Sequence, residues 1–171
     1  MSLRCDHASH GAGLHGAALN RALDEAEGRC GAEGQRMTAP RRRVLQLLLE
    51  ADGPVKAYDL ISGFGQGGEA AKPPTVYRAL EFLEKQGFAH RIESLNAYVA
   101  CRLGADGHAA AFLICDCCGA TREVEPAGAD TFTAAAATSG YRVQSLTIEA
   151  HGLCEACGHA ADANPSLKAA R

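Results

Sequence analysis

The chain has 171 residues, 47% of them hydrophobic, with a formal net charge of −3. That size buries one ordinary core or two small ones, and no continuous apolar run is long enough to cross a bilayer. The acidic balance speaks against an evenly basic surface, but the cations are unevenly placed. Arg36, Arg41, Arg42, Arg43, Lys56, Lys72 and Arg78 gather in the first half, while the second half holds many of the acids and most of the metal-ligand side chains. The opening Met1-Ser2-Leu3-Arg4-Cys5-Asp6-His7 lacks the apolar stretch of a secretory signal. The expected location is therefore the cytoplasm, where the eight cysteines stay reduced and do not form four disulfides.

In chain order, residues 1–16 are rich in Gly, Ala and His without periodicity and read as a flexible arm. Its His7, His10 and His15 read as a solvated tail. A helix is expected over 17–30. A second starts at Thr38, a good N-cap with Pro40 in the first turn, sends Val44, Leu45, Leu47, Leu48 and Leu49 toward a core, and ends near Asp52-Gly53-Pro54. A third short helix follows over 57–62, and the Gly-rich stretch 63–68 is expected to leave the helix.

Pro73 and Pro74 open a fourth helix and Gly87 closes it; Val76, Leu80 and Leu83 recur at helical spacing, leaving Thr75, Tyr77, Arg78, Glu81 and Lys85 to point elsewhere. Apolar segments at 88–92 and 98–101 flank Glu93-Ser94-Leu95-Asn96-Ala97 and read as a hairpin with its turn. Helices followed by a β-hairpin make a winged helix-turn-helix. Beyond it, strands are expected at 111–115, 121–124 and 141–150 around an Ala-rich helix at 129–140. The fold class is thus α+β, with a flexible arm (1–16), a winged-helix domain (17–102), a hinge (103–110), a small α/β domain (111–157) and a frayed tail (158–171).

Two C-x-x-C pairs, Cys115/Cys118 and Cys154/Cys157, are each followed by a Gly that relieves the tight turn. Four thiolates suit tetrahedral zinc, and a full shell staples rather than catalyses; an iron or iron–sulfur centre uses the same ligands. Cys117 lies between the ligands, but the two-residue spacing favours Cys118. A second set is His90, Cys101, His108 and Glu123. A hairpin turn centred between Leu95 and Asn96 puts His90 directly opposite Cys101. An ion held by all four fastens the first domain to the second, which is a switch rather than a staple. Taken singly, each of these residues also reads as an ordinary hairpin, core, loop or strand residue.

At Ala57-Tyr58-Asp59-Leu60, Lys72-Pro73-Pro74-Thr75-Val76-Tyr77-Arg78-Ala79-Leu80, Gln86-Gly87-Phe88, Phe112-Leu113-Ile114-Cys115 with Cys118-Gly119, and Glu149-Ala150-His151-Gly152-Leu153-Cys154, the chain resembles the ferric uptake regulator family, most closely its zinc uptake regulator branch. The resemblance runs from about residue 17 to 157. It implies an N-terminal winged-helix DNA-binding domain and a C-terminal dimerisation domain. Cys115, Cys118, Cys154 and Cys157 then match the structural zinc site, and His90, Cys101, His108 and Glu123 the regulatory one. The thiolate at Cys101 is similar to the zinc branch, where iron and peroxide sensors use harder His and carboxylate shells. His151 matches a structural rather than a ligand position. Cys30 reads as core, and the early tail with Cys5, His7, His10 and His15 departs from the family.

The expected function is a zinc-responsive repressor of zinc-uptake genes, binding a near-palindromic operator as a homodimer with two zinc ions per chain. Thr75, Tyr77 and Arg78 face the major groove, and Arg78 is the best candidate for reading guanine. Tyr58 resembles a base-contacting position of the family, and Arg41, Arg42, Arg43, Lys56 and Lys72 suit phosphates. Two alternatives stand beside this reading: an iron-sensing regulator of the same family, and a zinc-ribbon module that binds protein. No nucleophile-and-base pair or phosphate-cradling Gly loop points to an enzyme, and no membrane or small-molecule partner is expected.

Overall fold

Val44, Leu45, Leu48 and Leu49 form a buried helical stripe, and around it the N-terminal core assembles. The computed structural model describes residues 13–65, 72–102, 109–143 and 146–158. Five helices are described: α1 (Gly16–Ala32), α2 (Ala39–Glu50), α3 (Ala57–Phe64), α4 (Pro73–Lys85) and α5 (Ala129–Thr138). Leu19, Leu23, Ala26 and Cys30 on α1, the α2 stripe, Leu60 on α3 and Val76, Leu80 and Leu83 on α4 share one core. Burying such side chains contributes roughly 1.5–3 kcal/mol each against leaving them in water. Among the described residues no helix is long and apolar enough to cross a membrane.

Proline opens and glycine closes α4 as expected. Gly87 takes φ +67°, and the Phe88 amide reaches back to the Leu83 carbonyl at 2.8 Å, so a residue without Cβ penalty turns the chain into the wing. The 63–68 expectation is corrected at its start. Gly63 stays within α3, where its carbonyl accepts a 3.1 Å hydrogen bond from Arg43; the stretch 66–71 lies outside the described residues. The arm is likewise corrected at its end, because the Leu14 amide bonds the Leu49 carbonyl at 2.7 Å and the Gly13 amide bonds Asp52 at 2.7 Å.

The wing is a three-stranded sheet in the order β1-β3-β2, made of β1 (Val55–Lys56), β2 (Ala89–Ile92) and β3 (Ala97–Ala100). The short β1 was not expected, since two residues show no periodicity. The hairpin register also differs from expectation. His90 pairs with Val99, so the turn centres between Ser94 and Leu95 and Cys101 lies two residues beyond the residue opposite His90. A shift of two preserves the face of every side chain. Ala89, Tyr98 and Ala100 therefore pack on the helical core, while His90, Ile92 and Val99 face the other way.

What they face is the second sheet, in the order β5-β4-β6: β4 (Ala110–Cys115), β5 (Thr121–Val124) antiparallel to it, and β6 (Thr147–Gly152) parallel to it. Ala110, Phe112 and Ile114 bury against Ile92, with Leu95 and Val99 packed alongside. The strand expected over 141–150 is corrected: 141–143 are not strand, 144–145 lie outside the described residues, and pairing runs from Thr147 through Gly152. The parallel partner β4 decides those limits, and no local pattern announces it.

Candidate metal centres

The Cys115-Asp116-Cys117-Cys118 turn follows β4 directly, and a helical turn at 155–158 follows β6, so the parallel pairing of these strands brings both C-x-x-C segments together. The sulfurs of Cys115, Cys118, Cys154 and Cys157 all lie within 4.8 Å of one another. Cys118 and Cys154 stand 3.8 Å apart, Sγ to Sγ. A tetrahedron of zinc–sulfur bonds has edges of about 3.8 Å, so the donors already have the spacing zinc requires. Cys115 and Cys157 are buried, Cys118 and Cys154 half-buried, and Cys117 is exposed at the edge.

Burial opposes ionisation of Cys115, yet amides of Cys118, Cys154 and Cys117 aimed at its sulfur outweigh that and bring it down to about 6. Burial, reinforced by the neighbouring thiols Cys154 and Cys118, pushes Cys157 up. Four sulfurs at this separation ionise together only around a cation, and a dication fits the chemistry of the set.

The second cluster joins wing to sheet. Nε2 of His90 lies 3.2 Å from Oε1 of Glu123, and Sγ of Cys101 lies 3.8 Å from the same oxygen. All three donor atoms fall within 4.8 Å of one another. Side-chain exposure is only 12% for His90 and 5% for Glu123, so a carboxylate is held almost out of water, where it requires a cation or strong donors. The Arg102 amide donates to its other oxygen at 2.8 Å. Burial disfavours the charged imidazole of His90, but hydrogen bonds with Cys101 and Glu123 overcome this and raise it to about 9. The His90 ring also leans on Phe112, 5.8 Å between centroids. His108 lies outside the described residues, so three of the four expected ligands are seen to converge.

On the far side of the helical core, Tyr58 is 76% and Tyr77 51% exposed; Arg78, Lys56 and Lys72 are exposed as well, and Thr75 is half-buried. The arginines of α2 are engaged. Arg41 lies over the Phe82 ring at 3.4 Å and bonds the Arg36 carbonyl at 2.6 Å, Arg42 pairs with Asp24 at 2.7 Å, and Arg43 holds Gly63. Each therefore has a packing or pairing role that the sequence did not suggest.

Residues 32–151 match the ferric uptake regulator family. The chain belongs to the ferric uptake regulator family. It is 45% identical over 137 residues to the zinc uptake regulation protein of Escherichia coli (strain K12), covering 79% of this chain and 80% of the relative, and equally so to that of Shigella flexneri. It is also similar to a solved structure described as a zinc uptake regulator complexed with zinc and DNA, with a TM-score of 0.78, 42% identity, and coverage of 86% of this chain and 99% of the other. A crystal structure of holo XcZur matches with a TM-score of 0.72 and 40% identity over 82% of this chain and 99% of the other.

Glu149 and His151 lie in the Glu149-Ala150-His151-Gly152-Leu153-Cys154 segment, where the resemblance gives His151 a structural position and assigns Glu149 no role. Being two apart on one strand they share a face, which was the available signal. Only the structure reveals what that face meets.

Proposed function

We propose that this chain is a zinc-responsive DNA-binding transcriptional repressor of zinc-uptake genes, acting in the cytoplasm as a homodimer on a near-palindromic operator. The observation that supports it most is the pair of unlike donor sets. One is closed and made of four sulfurs; the other spans the wing and the second sheet. Bound zinc supplies a divalent charge and a tetrahedral preference that thiolate, imidazole and carboxylate donors all meet. The Cys115, Cys118, Cys154, Cys157 set staples β4 to the end of the chain. His90 and Cys101 approach from the wing and Glu123 from β5, with His108 supplied by the 103–110 hinge. Closing this second set holds the winged-helix domain (17–102) at one angle to the dimerisation domain (111–157), and only that difference between closed and open forms can be passed to DNA.

At the DNA, the N-terminal end of α4 offers Thr75, Tyr77 and Arg78 to the major groove, Tyr58 adds a contact from α3, and Lys56, Lys72 and the free edge of Arg41 meet phosphates. The outer face of the second sheet supports dimerisation. Leu113 and Ile148 point away from the wing and are 48% and 39% exposed; Phe132 and Tyr141 are exposed too, a surface that a second copy would cover. The relatives named above bear zinc uptake names, and one structure is described with zinc and DNA, which supports the same reading. The thiolate at Cys101 favours zinc over iron.

The test selects duplexes from a randomised pool with the zinc-loaded protein, then measures binding across buffered free zinc, with ferrous iron and manganese as comparators and metal counted per chain. Tight binding with zinc alone, at about two zinc ions per chain, is expected. Binding supported by iron alone moves the chain to iron sensing. No duplex binding at one zinc per chain leaves a zinc-ribbon interaction module.

A further inference from the structure

The inner face of the second sheet carries a row of three side chains in register, Glu123 on β5, Phe112 on β4 and Glu149 on β6. Phe112 packs beneath the wing. Glu123 reaches the base of the hairpin, where His90 and Cys101 stand. Glu149 reaches its tip: its two carboxylate oxygens accept the backbone amides of Glu93 at 2.7 Å and Ser94 at 3.1 Å. Burial works against the Glu149 carboxylate, but the Ser94 side chain and those amides hold it below the usual range. One strand pair along, Nε2 of His151 lies 3.1 Å from the Ser94 hydroxyl and Nδ1 lies 2.9 Å from Asp116. Because the Asp116 carboxylate only accepts, Nδ1 carries a proton, and the Ser94 hydroxyl, with its single proton, bridges the Glu149 carboxylate and Nε2. Asp116 sits inside the Cys115/Cys118 turn and its amide bonds the Gly152 carbonyl at 2.8 Å.

We propose that Glu149 and His151 form a metal-independent clasp that seats the wing turn on the second sheet, so that the donors at the hairpin base are held ready for the regulatory metal. This rests on reading His90, Cys101 and Glu123 as the regulatory site. A hairpin is stiff, so fixing its tip restricts the positions its base can sample, and less ordering is left to offset when the metal binds. Through Asp116 the four-cysteine turn is joined to the same clasp. The structural site thereby supports sensing without donating a ligand to it.

The test uses full-length protein. Affinity for the second zinc is measured by competition with a chromophoric chelator, and amide hydrogen exchange is followed at Glu93 and Ser94. Glu149→Ala loses both charge-assisted bonds and is expected to weaken the second zinc about tenfold and to speed exchange at both amides. Glu149→Gln, which keeps acceptor oxygen, should recover part of the loss. Ser94→Ala should lose less, since both amides still meet Glu149. The first, tightly held zinc should stay as in the wild type. Unchanged exchange overturns the clasp, and so does faster exchange with unchanged affinity for the second zinc. A wild-type chain that takes a second zinc yet binds no duplex overturns the repressor reading alone; one that takes no second zinc overturns both.

Discussion

His90 has to lose a proton before its Nε2 can ligate a metal, and its neighbours Cys101 and Glu123 hold that proton to about pH 9. Each metal ion bound below that pH therefore displaces it. The expected outcome is that affinity for the second zinc falls about tenfold for each unit the pH drops through the neutral range, from this one proton alone. Chelator competition at several pH values checks it, and a flat profile would show that His90 enters the site already neutral. At Asn96 the backbone rather than the side chain is special, with φ +47° in the wing turn. Asn tolerates that region, whereas Asn96→Val is expected to cost about 1–2 kcal/mol, read as a lower urea midpoint.

At the level of elements, α4 divides its work between two faces. Val76, Leu80 and Leu83 are at most 1% exposed and anchor it, while Tyr77 and Arg78 lie in solvent. The two kinds of substitution should therefore separate cleanly. Leu83→Ala is expected to lose about 2–5 kcal/mol of stability from transfer and cavity terms. Arg78→Ala should leave the thermal midpoint alone and weaken operator binding by about 1–3 kcal/mol, measured by fluorescence anisotropy on the selected duplex. The wing has no free face at all. Ala89, Tyr98 and Ala100 go to the helices and His90, Ile92 and Val99 to the second sheet, which makes the hairpin the bracket between the two domains.

For the whole molecule, the exposed outer face with Leu113 and Ile148 is the surface the proposed dimer would cover, and Ile148→Asp is expected to shift the mass seen by analytical ultracentrifugation from dimer to monomer while the fold persists. An unchanged dimer would place the interface elsewhere. Much of this organisation was legible along the chain. Thr38 with Pro40, Pro73 with Gly87, the leucine stripes and the two C-x-x-C pairs are local signals, so helix positions, domain order and the chemistry of the four-cysteine site follow from residues a few positions apart. The second donor set was legible in residue type but not in geometry, because a hairpin register depends on turn conformation and on what each face packs against. Tertiary structure alone decided that His90 pairs with Val99, that β1 joins the wing, that the last strand runs to Gly152 beside β4, and that Glu149 and His151 meet the wing turn. All four are contacts between residues distant in sequence or outcomes of a sheet's register, and local periodicity and spacing carry no information about either.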